Sequence, residues 1–215
     1  MPEALSKDQF RNLLQMSCVD MEAAQDELQR LDAQAGDGDL GVTVKLGFQA
    51  VRDKLPQVAG EDVGSILLKS GQAFNAAGVS PFGTLMATFF LRSAGPAKGK
   101  DRIELNDFIA MMASAVEGIK ERGKASAGER TMLDALIPAL DQLILCGQQG
   151  RTLREAMDLA AHAAQAGATA ATQMQARHGR AGWLGERSKG IPDAGAVAVA
   201  LIFRAFANHL PEVMK

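Results

Sequence analysis

The densest concentration of chemistry-bearing side chains is the run Asp32-Ala-Gln-Ala-Gly36-Asp37-Gly38-Asp39-Leu40-Gly41, in which three carboxylates fall within eight residues and three glycines surround two of them. On one α-helix Asp37 and Asp39 would point to nearly opposite faces, since each residue turns the chain by about 100°. On a glycine-permitted turn they can converge. Converging carboxylates repel, and each raises the other's pKa unless a cation lies between them. Oxygen donors at this density favour Mg²⁺ or Ca²⁺. An EF-hand is excluded, because Gly41 and Phe48 stand where that loop needs its third side-chain ligand and its bidentate Glu. Mg²⁺ takes few carboxylates and fills its shell with water and substrate phosphate. Spacing alone leaves two readings: a metal–nucleotide site, or an Asp/Gly turn that caps the following helix.

Three further segments carry polar or glycine-rich patterns. Gly78-Val-Ser80-Pro81-Phe82-Gly83-Thr84 has the glycine spacing of a P-loop, but Thr84 stands in place of the lysine and the run follows a helix, so a Walker A site fails on context. It either offers backbone N–H groups to phosphate at a helix start or is a plain interhelical turn. The segment 123–134 mixes Gly123 and Gly128 with Lys124 and Arg130. The segment 175–195 places Arg177, Arg180, Arg187 and Lys189 beside the lone Trp183. A basic glycine-rich loop suits phosphate or an acidic partner, and a solvated loop is the alternative. Of the three histidines only His178 falls in a candidate site, and no Ser/His/Asp nucleophile arrangement is present.

The elements that must position these segments are helical. Apolar residues recur at three-to-four spacing after Ser6, which pairs with Gln9 as a capping box, and Thr152 with Glu155 repeats the pattern. Further helices are predicted over residues 42–55, 62–77, 85–94, 104–122, 131–145, 152–174 and 193–210, with Pro138 a kink point. That makes about eight helices and no convincing strand: an all-α, single-domain antiparallel bundle or closed helical barrel with short glycine-rich links. Two longer links, 123–130 and 177–192, read as functional. The composition agrees, with 5% aromatics and no Tyr, which disfavours a β-sandwich. A formal net charge of -2 gives no sign of nucleic acid or an anionic membrane as partner. Cys18 and Cys146 read as reduced thiols, no signal peptide is evident, and no stretch reads as apolar enough to span a bilayer, since 191–209 contains Asp193 and Arg204. The expected compartment is the cytoplasm.

Taken together the motifs resemble the L subunit of dihydroxyacetone kinase over nearly the whole chain. The pattern LDxxxGDxDxG is matched by Leu31, Asp32, Gly36, Asp37, Asp39 and Gly41. GKAxxGDKTMxD is matched by Gly123, Lys124, Ala125, Gly128, Thr131, Met132 and Asp134, with Glu129 and Arg130 as conservative changes. MQARxGRAxxLGERSxGxxDxG is matched along residues 174–195. The resemblance implies an eight-helix barrel with nucleotide at one end. It implies that Asp32, Asp37 and Asp39 hold two Mg²⁺ ions bridging the phosphates of ADP or ATP and act in catalysis with Arg180. Nucleotide contacts are implied for Leu40, Gly41, Val42, Thr43, Pro81, Phe82, Gly83, Gly123, Met132, Arg180, Asp193, Ala194 and Gly195. The implied partners are a K-type subunit, which holds dihydroxyacetone covalently on a histidine, and a phosphotransferase M-type subunit that rephosphorylates the ADP; a homodimer is also open. Two departures stand out: Leu40 replaces a common His, and Val79-Ser80-Pro81-Phe82-Gly83 replaces a turn of small residues. Two alternatives remain: an ATP-dependent kinase subunit for another small ketose, or a non-catalytic nucleotide-binding module.

Overall fold

The computed structural model describes residues 3–215. Most of its helices begin where the sequence supplies an acceptor for an unpaired first-turn N–H group. In order they are α1 (Lys7–Ala23), α2 (Gln25–Asp32), α3 (Leu40–Lys54), α4 (Val63–Ala77), α5 (Pro81–Ala94), α6 (Leu105–Gly123), α7 (Leu133–Gln148), α8 (Leu153–Ala171) and α9 (Ala194–Val213). Ser6 and Gln9 close a reciprocal box at α1, Thr152 and Glu155 do the same at α8, and Asp62, Ser80 and Asp193 cap α4, α5 and α9. Each such cap contributes about 1 kcal/mol. Short 3₁₀ turns cover Leu55–Val58 and Arg180–Ser188.

The first helix runs further than its apolar periodicity predicts. At Ala24 (φ -77°, ψ 0°) the axis bends, yet the Ala24 N–H still reaches the Asp20 carbonyl and the Leu28 N–H reaches Ala24. Thus α1 and α2 form one bent rod, which leaves eight rods among the described residues. The expectation of no strand needs one small correction: Leu5–Ser6 (β1) pairs antiparallel with Arg102–Ile103 (β2), clipping the chain's start to the α5–α6 link. Helix α5 starts at Pro81, four residues before its predicted start, because the Ser80 hydroxyl accepts the Gly83 N–H and Pro81 occupies the first turn, where its missing N–H is harmless.

Successive rods pack side by side from α1 through α3 to α9, and α9 packs back onto α1, so the ring closes into a barrel. Its interior concentrates the few aromatics: Phe48, Phe74 and Phe90 meet at centroid distances of 5.2–6.4 Å. Pro138 does not break α7. It does leave the Asp134 carbonyl without its helical donor, and α8 presses Gly167 onto that oxygen so closely that any Cβ there would overlap it. By length and composition α9 is apolar enough to cross a membrane, contrary to the sequence reading. Half of its most apolar window is buried, and α1, α7 and α8 cover it as a core helix of the barrel.

Candidate functional site

Antiparallel alternation puts the links α2–α3, α4–α5, α6–α7 and α8–α9 at one end of the barrel. All four segments singled out in the sequence therefore meet there, and the N-termini of α3, α5, α7 and α9 contribute their positive dipole ends.

In the first link Gly38 adopts φ +76°, which reverses the chain between Asp37 and Asp39. Gly36 is needed for a different reason: a Cβ there would overlap the Asp32 carboxylate. One oxygen from each of Asp32, Asp37 and Asp39 then lies within 4.8 Å of the others. Among the described residues neither Asp37 nor Asp39 accepts a backbone N–H through its side chain, so helix capping does not account for them; of the three, only Asp32 Oδ2 reaches a first-turn donor, Leu40 N–H, at 3.4 Å. Desolvation, then Asp37 and Asp32, raise the Asp39 carboxyl above its ordinary pKa, and Arg180 partly opposes this. Arg180 Nη2 lies 2.7 Å from Asp37 Oδ2. An all-oxygen set that repels itself in this way suits a hard divalent cation.

Beside the carboxylates opens a cleft of about 500 Å³, within the ordinary range for small-ligand sites. Leu40, Pro81, Phe82, Gly123, Met132, Asp193, Ala194 and Gly195 line it together with Asp32. An adjoining compartment of about 200 Å³ is bounded by Asp32, Asp37, Asp39, Arg180, Pro81 and Phe82. Four residues expected at the nucleotide line neither compartment. Gly41 is pressed on α2, where a Cβ would overlap the Gln25 carbonyl; Val42 is 40% exposed; Thr43 is buried; and Gly83 is packed on the Gly78 carbonyl. Of the expected α3 residues only Leu40 faces the cleft: Gly41 and Val42 are turned about 100° and 200° away from it, and Thr43, back near the same side, lies almost a turn further along the helix, where it is buried.

Beyond the residues expected at the nucleotide, the cleft is lined by His178 and Thr131, which the sequence places in a candidate site and a motif, and by Arg122, which sequence reasoning does not select. His178 Nε2 lies 2.6 Å from Glu129 Oε2, tying the two long loops together, and this contact, followed by the Ser126 N–H, lowers the Glu129 pKa. Buried Asp134 accepts the N–H groups of Gly128 and Thr131, which folds the 123–132 loop onto the start of α7. Arg130, in sequence only a conservative change within a motif, is 3% exposed and adopts φ +58°.

Burial raises the Asp193 carboxyl to a pKa of about 6, against the lowering effects of the Ala196 N–H and Arg130. A carboxyl raised in the folded state holds an extra proton between its ordinary value and about 6, so its contribution to stability is lost as pH climbs through that window. Asp193→Asn keeps the cap but removes the titration. In metal-free buffer, wild-type thermal stability should therefore fall relative to Asp193→Asn as pH rises to about 6 and run parallel above it. Parallel curves throughout would contradict this.

The fold and site define an antiparallel helical barrel that gathers three carboxylates and four helix N-termini at one mouth, beside a cleft. The chain belongs to the DAK2 domain family, whose model matches residues 34–208. It is 34% identical over 205 residues, 95% of this chain and 97% of the relative, to the PEP-dependent dihydroxyacetone kinase ADP-binding subunit DhaL of Escherichia coli. It is 34% identical to L-erythrulose 1-kinase of Mycolicibacterium smegmatis, covering 97% of this chain but 38% of that longer protein. Among solved structures, the dihydroxyacetone kinase from C. freundii in complex with AMP-PNP and Mg²⁺ superposes with a TM-score of 0.75 at 23% identity, over 97% of this chain and 35% of that one; this likeness establishes the shared all-helical fold.

Proposed function

We propose that this chain is a phosphotransferase subunit of the dihydroxyacetone kinase type: it holds ADP or ATP with two Mg²⁺ ions and passes a phosphoryl group to dihydroxyacetone carried by a separate K-type subunit. The observation that carries this reading is the convergence of Asp32, Asp37 and Asp39 at the end of a nucleotide-sized cleft. Near-full-length identity to an ADP-binding subunit supports it.

Phosphoryl transfer needs positioning and charge neutralisation more than a protein nucleophile, and three converging carboxylates beside Arg180 suit that requirement. The three aspartates would hold magnesium, which when bound offsets phosphate charge. Arg180, next to Asp37, supplies a further cation on the same side. At the α9 start Asp193 caps only Ala196, so the first-turn N–H groups of the cleft-lining Ala194 and Gly195 keep no acceptor among the described residues and are open to phosphate. The α5 start is poorer. Pro81 has no N–H, the Gly83 N–H is taken by Ser80, and Phe82 alone keeps a free first-turn donor. Phosphate contacts at this turn are thus fewer than a run of small residues would give, and Phe82 presents a ring to the cleft instead.

By its likeness to a PEP-dependent subunit, the bound ADP is rephosphorylated in place by an M-type phosphotransferase protein. A second reading, exchange of free ATP with another small ketose as acceptor, is favoured by relatives named L-erythrulose 1-kinase and D-erythrulose kinase. Denaturing the purified protein and assaying the supernatant should release about one ADP per chain; no nucleotide, even with Mg²⁺ supplied, would favour a non-catalytic module. Reconstitution with a K-type protein should then proceed faster with phosphoenolpyruvate and its phosphotransferase proteins than with ATP. The reverse order would select the second reading.

A further inference from the structure

Arg130 is held in a way that serves neither solvent nor a carboxylate partner. Its Nε and Nη2 both donate to the Ile191 carbonyl, at 3.2 and 2.9 Å, and Nη2 also reaches the Pro192 carbonyl at 3.2 Å. These carbonyls immediately precede Asp193. The backbone at Arg130 is left-handed, φ +58°, a conformation that costs a non-glycine residue about 1 kcal/mol and persists only where the surroundings enforce it. Nη1, on the other edge of the guanidinium, is buried with no acceptor among the described residues. A buried, unpaired donor on a charged group is costly, so an acceptor is required.

Behind the cleft lies a small cavity of about 50 Å³. Its charged lining residues are Arg130, Asp32 and Asp193, and the rest of its wall is apolar or backbone, including Leu31, Ala35 and Ala181. The volume admits a water molecule, and a buried water needs two to four polar partners. A single water matches this set: it accepts one bond from Nη1 and donates its two protons to the two carboxylates.

We propose that Arg130 is a positioning residue that acts through a buried water, linking Nη1 to Asp32 and Asp193 and so holding the metal-facing carboxylate and the start of α9 in one register. This rests on the metal–nucleotide reading above, because Asp32 is one of the three converging carboxylates.

Two measurements test it. The first is calorimetric titration of Mg–ADP into wild type, Arg130→Met and Arg130→Lys at several Mg²⁺ concentrations, with the melting temperature of each apo protein recorded. Loss of a group that orients a metal ligand typically weakens metal affinity by about 10–100-fold. Arg130→Met should therefore weaken Mg–ADP binding by at least about tenfold and raise the Mg²⁺ required, and Arg130→Lys should recover part of the loss. A melting temperature that drops with no change in Mg²⁺ requirement would mean a purely structural role and overturn the proposal. The second is a high-resolution crystal structure of the wild-type protein, which does not depend on any variant folding. It should show one ordered water within hydrogen-bonding distance of Nη1, Asp32 and Asp193. A dry cavity, or Nη1 bonded to a protein atom, would overturn the proposal while leaving the nucleotide reading intact; wild type that binds no Mg–ADP would overturn both.

Discussion

Asp37→Asn is expected to abolish the thermal stabilisation conferred by Mg–ADP and to cut the reconstituted phosphoryl-transfer rate by about a hundredfold or more, while the apo protein melts at or slightly above the wild-type temperature. The two halves of this result have different origins. In the apo protein Asp37 is one of three mutually repelling carboxylates, and its presence raises the pKa of Asp39. Removing its charge relieves that repulsion. The lost ion pair with Arg180 joins two largely exposed side chains, and such pairs contribute about 0–1 kcal/mol. The apo balance is therefore near zero. With metal, the balance changes sign, because an amide offers a neutral oxygen where the cation had a carboxylate. Differential scanning fluorimetry with and without Mg–ADP reads the first half, and a coupled assay with the K-type partner reads the second. A variant that keeps both the Mg–ADP shift and the rate would mean that the convergence of the three aspartates is unrelated to metal.

The part of the site legible in the sequence is the part built by neighbours along the chain. Asp32, Asp37 and Asp39 need only a tight glycine turn to meet, and Gly36 and Gly38 announce one. Capping boxes at Ser6 and Thr152 are legible for the same reason. Helix α2 is not, because its eight residues bury only Leu28 and thus carry no apolar period to detect. The α5 start is hidden by the glycines that frame it, although Ser80 followed by Pro81 is a helix-start signature. The 3₁₀ stretch Arg180–Ser188 turns at Gly185, φ +55°, and its order comes from the Ser188 hydroxyl, which donates to the Gly185 carbonyl and accepts the Ala176 N–H. Arg130 depends on carbonyls 61 and 62 residues away. No local pattern encodes such a partner.

Gly41 shows where a motif residue and a contact residue part company. A family motif marks it beside the aspartate turn, and the resemblance places it on the nucleotide. In the structure it lets α3 lie against α2: a Cβ would overlap the Gln25 carbonyl and come within 2.7 Å of the Gln29 N and Cβ. These are mostly backbone atoms, so no side-chain rotation relieves the overlap, and α2 must shift away from α3. Replacing Gly by Ala in a helix gains up to about 1 kcal/mol of propensity, whereas overpacking costs about 1–3 kcal/mol; an overlap with a backbone oxygen belongs at the upper end of that range, about 3 kcal/mol, so the clash should win by about 2 kcal/mol. For a chain of this size that lowers the melting temperature by about 4–8 °C. The consequence for the site follows from chain order. Asp32 ends α2 and Asp39 immediately precedes α3, so separating the helices pulls the carboxylates apart, and the Mg–ADP shift should shrink along with the apo stability. Gly95→Ala is the matched control. Gly95 sits at φ -58°, and a Cβ added there would find its nearest neighbour 3.7 Å away, an ordinary contact, so this change should be neutral or stabilising by up to about 1 kcal/mol. Thermal melts of Gly41→Ala and Gly95→Ala with and without Mg–ADP separate the two cases. A Gly41→Ala protein that melts and responds to Mg–ADP like wild type would show that the α2–α3 contact does not set the spacing of the aspartates.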